Sequence, residues 1–372
     1  MQILNQLDDP TTPGDLNPEQ ILKSGEDRTQ SSQVWTERFW LVLGGHIFFQ
    51  TLRTAVQSGI FTHLSQCGGL TQTQIADRLG ITEKSVRIIL LGCTTLGLLR
   101  KVGKRYWNSP TAEALLVQGS ADNIISFIEF EHHVVYKAMH SLYDATKATK
   151  NVGLKEFDGQ EETLYQRLPH HPELEKIFQD AMEDISKQAN LIFAKTVDLS
   201  QTTYLVDVGG GNGANVIALA NKYPNLRASV FDFPSVCDIA SAKIRSCSLS
   251  DRLGAIPGNC FIDEFPKNAD CFLFAHFFTM WSEEKDRFLL KKCYDALPSG
   301  GSVILFNMMQ TDNEDGPYSA AIGSPYFLTL ATGESMLYTW NEYESWMQDI
   351  GFTKITRQEL PRDHGIIRGV KP

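Results

Sequence analysis

Long apolar runs are missing from this chain: none reaches the roughly 18 residues that a membrane-crossing helix requires, so no membrane association is expected. Positive charge is equally short of clusters. No Lys/Arg run is longer than a pair and the formal net charge is −10, which disfavours a polyanionic partner such as nucleic acid and points to small molecules. Cysteine is sparse and scattered. The seven residues include no CxxC pair, an odd total that fits reduced thiols rather than a disulfide scaffold, and their spacing suggests no metal ligand set. The opening "MQILNQLDDPTTPGDLNPEQ" lacks the basic start and apolar core of a secretion signal, so a cytoplasmic location is expected.

What is present is core-forming material. Of 372 residues, 42% are hydrophobic and 10% aromatic, enough for two domains. Residues 1–32 are polar, without apolar periodicity, and read as a flexible lead-in. From Trp35 to Gly59 the helical spacing of "WLVLGGHIFFQTLRTAVQSG" predicts a helix with a wide buried face. Thr71 and Thr82 then cap two short helices separated at Gly80, and "LLRKVGKRYWNS" predicts a hairpin turning at Gly103-Lys104. Helix, turn, helix and wing make a winged-helix pattern. Its second helix, "EKSVRIILLGCTTL", is mostly apolar, so a structural or dimerising role is expected rather than DNA reading. Residues 33–190 are therefore assigned to a helical domain. Residues 191–372, where strands such as "YLVDV", "ASVFDF", "CFLFA" and "SVILFNMM" alternate with helical stretches, are assigned to a doubly wound, Rossmann-like α/β domain.

The most informative stretch is "YLVDVGGGNGANVIALANKYPNLRASVFDFP". An apolar strand ends in Asp207, and glycines that include Gly209 and Gly211 turn the backbone tightly into a helix. About twenty residues on, a second strand ends in Asp232, placed to accept from ribose hydroxyls. The glycine spacing is GxGxG rather than the dinucleotide GxGxxG, and an acid as early as Asp207 would repel a pyrophosphate. A cationic ligand with an amino-acid tail and no phosphate fits better, and S-adenosylmethionine has those properties.

The ordered set "LVDVGGGNG", "FDFPSV", "DRLGAIPGNCFIDEFP", "DCFLFAHFFTMWSEEK", "CYDALPSGGSVILFNMM" and "EYESWMQDIGF" resembles the class I S-adenosylmethionine-dependent O-methyltransferases of the caffeic-acid and hydroxyindole type, over roughly residues 35–372. The resemblance implies a homodimer built through the winged-helix domain. It also implies cofactor contacts at Asp207, Gly209, Gly211, Asp232, Phe233, Asn259, Cys260 and Ala275, with an acceptor pocket walled by Phe178, Met182 and Tyr326.

One departure stands out. In the hydroxyl-methylating members a histidine in the loop matching "HFFTMWSEE" deprotonates the acceptor; aligned on Trp281, that position is Thr279, whose hydroxyl is far too weakly acidic for a base at neutral pH. The two glutamates that steady that histidine fall at Asn307 and Leu337. His276, three residues earlier, is the remaining titrating candidate, so Thr279 and His276 are the catalytic positions to inspect and Asn307 the pocket polar group. His133 and His140, a heptad apart, share a helix face that is expected to line the pocket at His133; with no evident carboxylate partner they are assigned no metal. The resulting expectation is methyl transfer in specialised metabolism to oxygen, of a hydroxyl or a carboxylate, on a small or peptide-like acceptor. The alternatives are methylation of a keto acid or ring carbon, and a pericyclase-like catalyst that binds the sulfonium without transferring its methyl.

Overall fold

The computed structural model describes residues 28–372, and the chain divides into two compact units, one ending at Asn123 and the other running from Ile124 to Pro372. Of the expected flexible lead-in, residues 1–27 lie outside the described residues. Residues 28–32 already belong to the helix Arg28–Leu43, because no Gly or Pro interrupts its polar first turns.

In the first unit the helix expected from Trp35 to Gly59 is two. It breaks at Gly44, resumes over Gly45–Gln57, and turns at the left-handed Gly59 into Ile60–Cys67. Its wide buried face is not buried within one chain: Phe39, Trp40, Leu41, Val42, Leu43 and Ile47 are all exposed. Periodicity reports that a face is apolar, not which molecule covers it. The winged-helix pattern forms as expected. Thr71 and Gln74 close a reciprocal capping box on Gln72–Leu79, Thr82 caps Glu83–Thr95, and strands β2 (Leu99–Val102) and β3 (Arg105–Asn108) form the hairpin, beside the short strand β1 (Leu70–Thr71).

The second unit is built on a seven-stranded sheet. Strands β4 (Tyr204–Val208), β5 (Arg227–Asp232), β6 (Leu253–Pro257), β7 (Cys271–Ala275) and β8 (Ser302–Met308) run parallel, and β9 (Thr353–Leu360) and β10 (His364–Val370) close one edge antiparallel, in the order β6-β5-β4-β7-β8-β10-β9. Strand alternation divides the core in two. Leu205, Val230, Leu273, Ile304 and Phe306 face Phe193, Val216, Leu219 and Ile244, whereas Val206, Phe272, Phe274, Val303 and Leu305 face Leu289, Leu290, Tyr343 and Met347. The strand order reverses between β4 and β7, where open α/β sheets bind their ligands.

The compact units divide after Asn123, whereas the expected domain boundary lay at 190/191. The helix Pro172–Thr196 runs through 190/191 without a break, and Phe193 stacks on Phe306 of β8 at 4.5 Å, which ties that helix to the sheet. Among the described residues no helix is long and apolar enough to cross a membrane.

Close packing is tightest at Gly365 of β10, opposite Asn307, where a Cβ would stand 2.0 Å from the Trp340 ring. Gly365→Ala is expected to lower the unfolding free energy by roughly 1–3 kcal/mol, read as a shift of the denaturant midpoint; an unchanged midpoint would contradict this packing.

Candidate active site

The carboxyl ends of β4 and β5 bring two acids together. Asp207 is fully buried, neither carboxylate oxygen has a hydrogen-bond partner, and Asn215 is the polar side chain beside it. Burial first, and Asp232 second, push its pKa up to about 8. Asp232 is anchored: Oδ2 accepts from the Gly211 N–H at 3.0 Å and Oδ1 from the Phe233 N–H at 2.7 Å, while burial still raises its pKa. Gly209 has φ +70°, and a Cβ there would stand 2.2 Å from the Phe277 ring, so only glycine allows the turn and the loop after β7 to meet. The Phe233 side chain is exposed. After β6 the Gly258 N–H donates to the Asp232 carbonyl, and Asn259 uses its own side-chain oxygen to accept from the Phe261 N–H, next to the half-buried Cys260. Ala275 ends β7, half-buried.

The loop after β7 is fixed by its backbone. The Thr279 carbonyl accepts from Ser335 Oγ at 2.6 Å, the Met280 carbonyl from Thr332 Oγ1 at 2.7 Å, and the Trp281 carbonyl from the Tyr338 hydroxyl at 3.2 Å. Three consecutive carbonyls are thus held by one segment, 332–338. Thr279 is buried and its hydroxyl donates back to the His276 carbonyl at 3.3 Å. His276 adopts a left-handed φ of 55°, and its ring lies 4.7 Å from Phe306 and 5.1 Å from His364, with Nε2 buried and unpartnered. Burial, with His364 second, lowers its pKa to about 3, so the ring is neutral and a poor proton acceptor at pH 7. Asn307 is fully buried with both amide atoms unpartnered, and Leu337 is fully buried in an apolar cluster.

Beyond this loop is an aromatic wall. Phe130 packs 5.8 Å from both Phe178 and Tyr326, and Tyr165 packs 5.8 Å from Phe178. Met182 lines the cluster that holds Phe178, and Met280 and Met308 pack with Tyr165 and Tyr326. Phe178, Met182 and Tyr326 thus all pack against one apolar cluster. His133 is not with them: it lies exposed beside Glu129, at 3.2 Å. Among the described residues no three His, Cys, Asp or Glu side chains converge as metal ligands.

Tyr165 and the three hydroxyls that hold the loop belong to no motif or apolar repeat that sets them apart in the sequence.

Comparison with known proteins matches the geometry. Residues 139–353 fit the family model of the O-methyltransferase domain, and residues 40–118 that of the O-methyltransferase dimerisation domain, the segment that carries most of the exposed apolar residues named above. The L-tyrosine C(3)-methyltransferase of Streptomyces lavendulae is 35% identical over 89% of this chain and 92% of its own length. The 3-hydroxy-5-methyl-1-naphthoate 3-O-methyltransferase of Streptomyces sahachiroi is 31% identical over 87% and 91%. The crystal structure of the S-adenosylmethionine-dependent methyltransferase SibL superposes with a TM-score of 0.82 at 33% identity, covering 89% of this chain and 98% of SibL. With a family model spanning more than half of its length and relatives above 30% identity along most of it, the chain belongs to the O-methyltransferase family.

Proposed function

We propose that this protein is a homodimeric S-adenosylmethionine-dependent methyltransferase of specialised metabolism that places the methyl group on a ring carbon of a small phenol-bearing acceptor. The observation that carries the choice of atom is Thr279. A hydroxyl-methylating site needs a base beside the oxygen that takes the methyl, and here that position is a buried threonine bonded to its own loop, with Asn307 and Leu337 in place of the supporting acids. A ring carbon carries no acidic proton that must leave before attack, so the missing base is no obstacle. The 35% identity to a tyrosine C-methyltransferase favours the same atom. The aromatic and methionine wall around Phe178 and Tyr326 suits a flat, apolar ring.

The residues present fit the cofactor. A fully buried, unpartnered carboxylate is costly unless a cation meets it, and Asp207 stands beside a glycine turn that carries no side chains of its own. On this reading Asp207, Gly209 and Gly211 hold the amino-acid tail, Asp232 the ribose, and Phe233, Asn259, Cys260 and Ala275 the remaining edges. When bound, the cofactor supplies an electrophilic methyl on a sulfonium. The protein orients donor and acceptor and excludes water through the clamped loop and its greasy wall. The exposed apolar residues of Arg28–Leu43 are the surface a second copy would cover.

Two expectations follow from these assignments. The Asp207 carboxyl, held at about 8 without ligand, must lose its proton to meet a cationic tail, so cofactor affinity should weaken as pH falls below about 8. Asp207→Asn should weaken binding by about 100-fold, as expected for a charge-assisted bond, and flatten that pH dependence in calorimetry; undiminished affinity would remove Asp207 from the site. Incubation with methyl-labelled S-adenosylmethionine and candidate phenols, followed by mild alkali and fragmentation of the product, tests the acceptor atom. A label that survives alkali and fragments with the ring supports carbon, and a label released by alkali identifies a carboxylate ester instead.

A further inference from the structure

The loop after β7 runs between the two sides of the proposed site. At its start the Phe277 ring lies against the cofactor turn, where a Cβ on Gly209 would stand 2.2 Å from it. Three residues on, Met280 packs against the cluster of Ala320, Phe327, Ala331 and Leu337, on which Tyr165, Met308 and Tyr326 also pack. The Trp281 ring then meets Phe261 edge-on at 4.9 Å, next to Cys260. A shift of this loop therefore changes both sides at once.

The loop has little stiffness of its own. His276 enters it with a left-handed backbone, and Phe278–Met280 make a single tight turn. Its internal hydrogen bonds are long, 3.3 Å from the Thr279 hydroxyl to the His276 carbonyl and 3.2 Å from the Met280 N–H to the Phe277 carbonyl. The bond from Ser335 Oγ to the Thr279 carbonyl, at 2.6 Å, is shorter than either, and Ser335 is buried. Ser335 is also seated on both sides. Ahead of it the Gly333 N–H donates to the Phe327 carbonyl at 2.9 Å, and a Cβ on Gly333 would stand 2.3 Å from the Asn151 backbone nitrogen. After it the Leu337 N–H donates to Ser324 Oγ at 3.1 Å, and the Tyr338 carbonyl accepts from the Gln310 N–H at 3.0 Å. The Glu334–Lys285 pair alongside, at 2.6 Å, is partly exposed and screened, so the buried hydroxyl carries more of the hold.

We infer that Ser335 is a positioning residue for methyl transfer: by fixing the Thr279 carbonyl from a seated segment, it sets how the acceptor side at Met280 stands to the cofactor turn under Phe277. It touches neither ligand. On the reading above, which this role presupposes, the acceptor lies on the Met280 side of the loop and the cofactor on the Phe277 side. Thr332 and Tyr338 act in the same way on the next two carbonyls. Direct displacement depends on alignment, and a misplacement of about 1 Å can cost about 100-fold in rate.

The test compares wild type, Ser335→Ala, Ser335→Thr and Thr332→Val. For each, kcat and KM are measured with methyl-labelled S-adenosylmethionine and either L-tyrosine or a hydroxynaphthoate. S-adenosylhomocysteine affinity, the denaturant midpoint and hydrogen exchange across residues 276–282 are measured alongside. Ser335→Ala should lower kcat by about 10- to 100-fold at unchanged KM and speed exchange of the loop, with S-adenosylhomocysteine affinity kept within about twofold. Ser335→Thr keeps a hydroxyl and should recover most of the rate, while Thr332→Val should lower it as Ser335→Ala does. A Ser335→Ala protein with the wild-type kcat overturns the inference. So does a fall in kcat matched by equal losses of S-adenosylhomocysteine affinity and of the midpoint, since the role is then structural. If Ser335→Ala does not fold, Thr332→Val decides by the same criteria. Wild-type methylation of neither phenol ends the phenol reading alone; loop exchange then decides, and exchange left unchanged by Ser335→Ala overturns the inference.

Discussion

A carboxylate buried without a cation is the constraint from which the cofactor end of this molecule follows. Asp207 sits near the end of strand β4, buried and with neither carboxylate oxygen hydrogen-bonded, and Asp232 nearby makes its ionisation harder still. Burying such a charge costs several kcal/mol, so without a ligand the group stays largely protonated at neutral pH. Gly209 lets Phe277 close over the turn, and the Gly211 and Phe233 N–H groups fix Asp232 at the adjacent strand end. The sheet contributes stiffness: both acids end parallel strands that are buried on their two faces, and neither can retreat toward water.

The same Phe277 that covers Gly209 begins the loop carrying Thr279, so the cofactor turn and the acceptor side are mechanically joined. The hydroxyls of Ser335, Thr332 and Tyr338 hold three successive carbonyls of that loop, and the segment supplying them also carries Leu337 into the pocket wall. The loop is therefore held by its main chain. In the proposed reading this matches the chemistry: a methyl displacement from a good leaving group gains most from alignment and dryness.

The strand ends, the glycine turn, Asp207, Asp232 and the winged helix were legible because each is a local pattern with a local cause. The division of the chain was not. Residues 125–196 are helical with no shift in composition, and their allegiance is set by a distant contact, Phe193 on Phe306. His276 was legible as a titrating residue at a strand end, but not the left-handed backbone that turns it against Phe306 and His364 and depresses its pKa. The apolar residues from Phe39 to Leu43 were legible as a face, though not as one that a single chain leaves open.

The central claim is that the methyl group goes to carbon because the loop at Thr279 offers no base to an oxygen. The most direct measurement is mass analysis of the product formed from L-tyrosine deuterated at both ring carbons adjacent to the phenol. Carbon methylation predicts that each methyl gained is matched by one deuterium lost. A methylated product that retains both deuterium atoms would contradict the account.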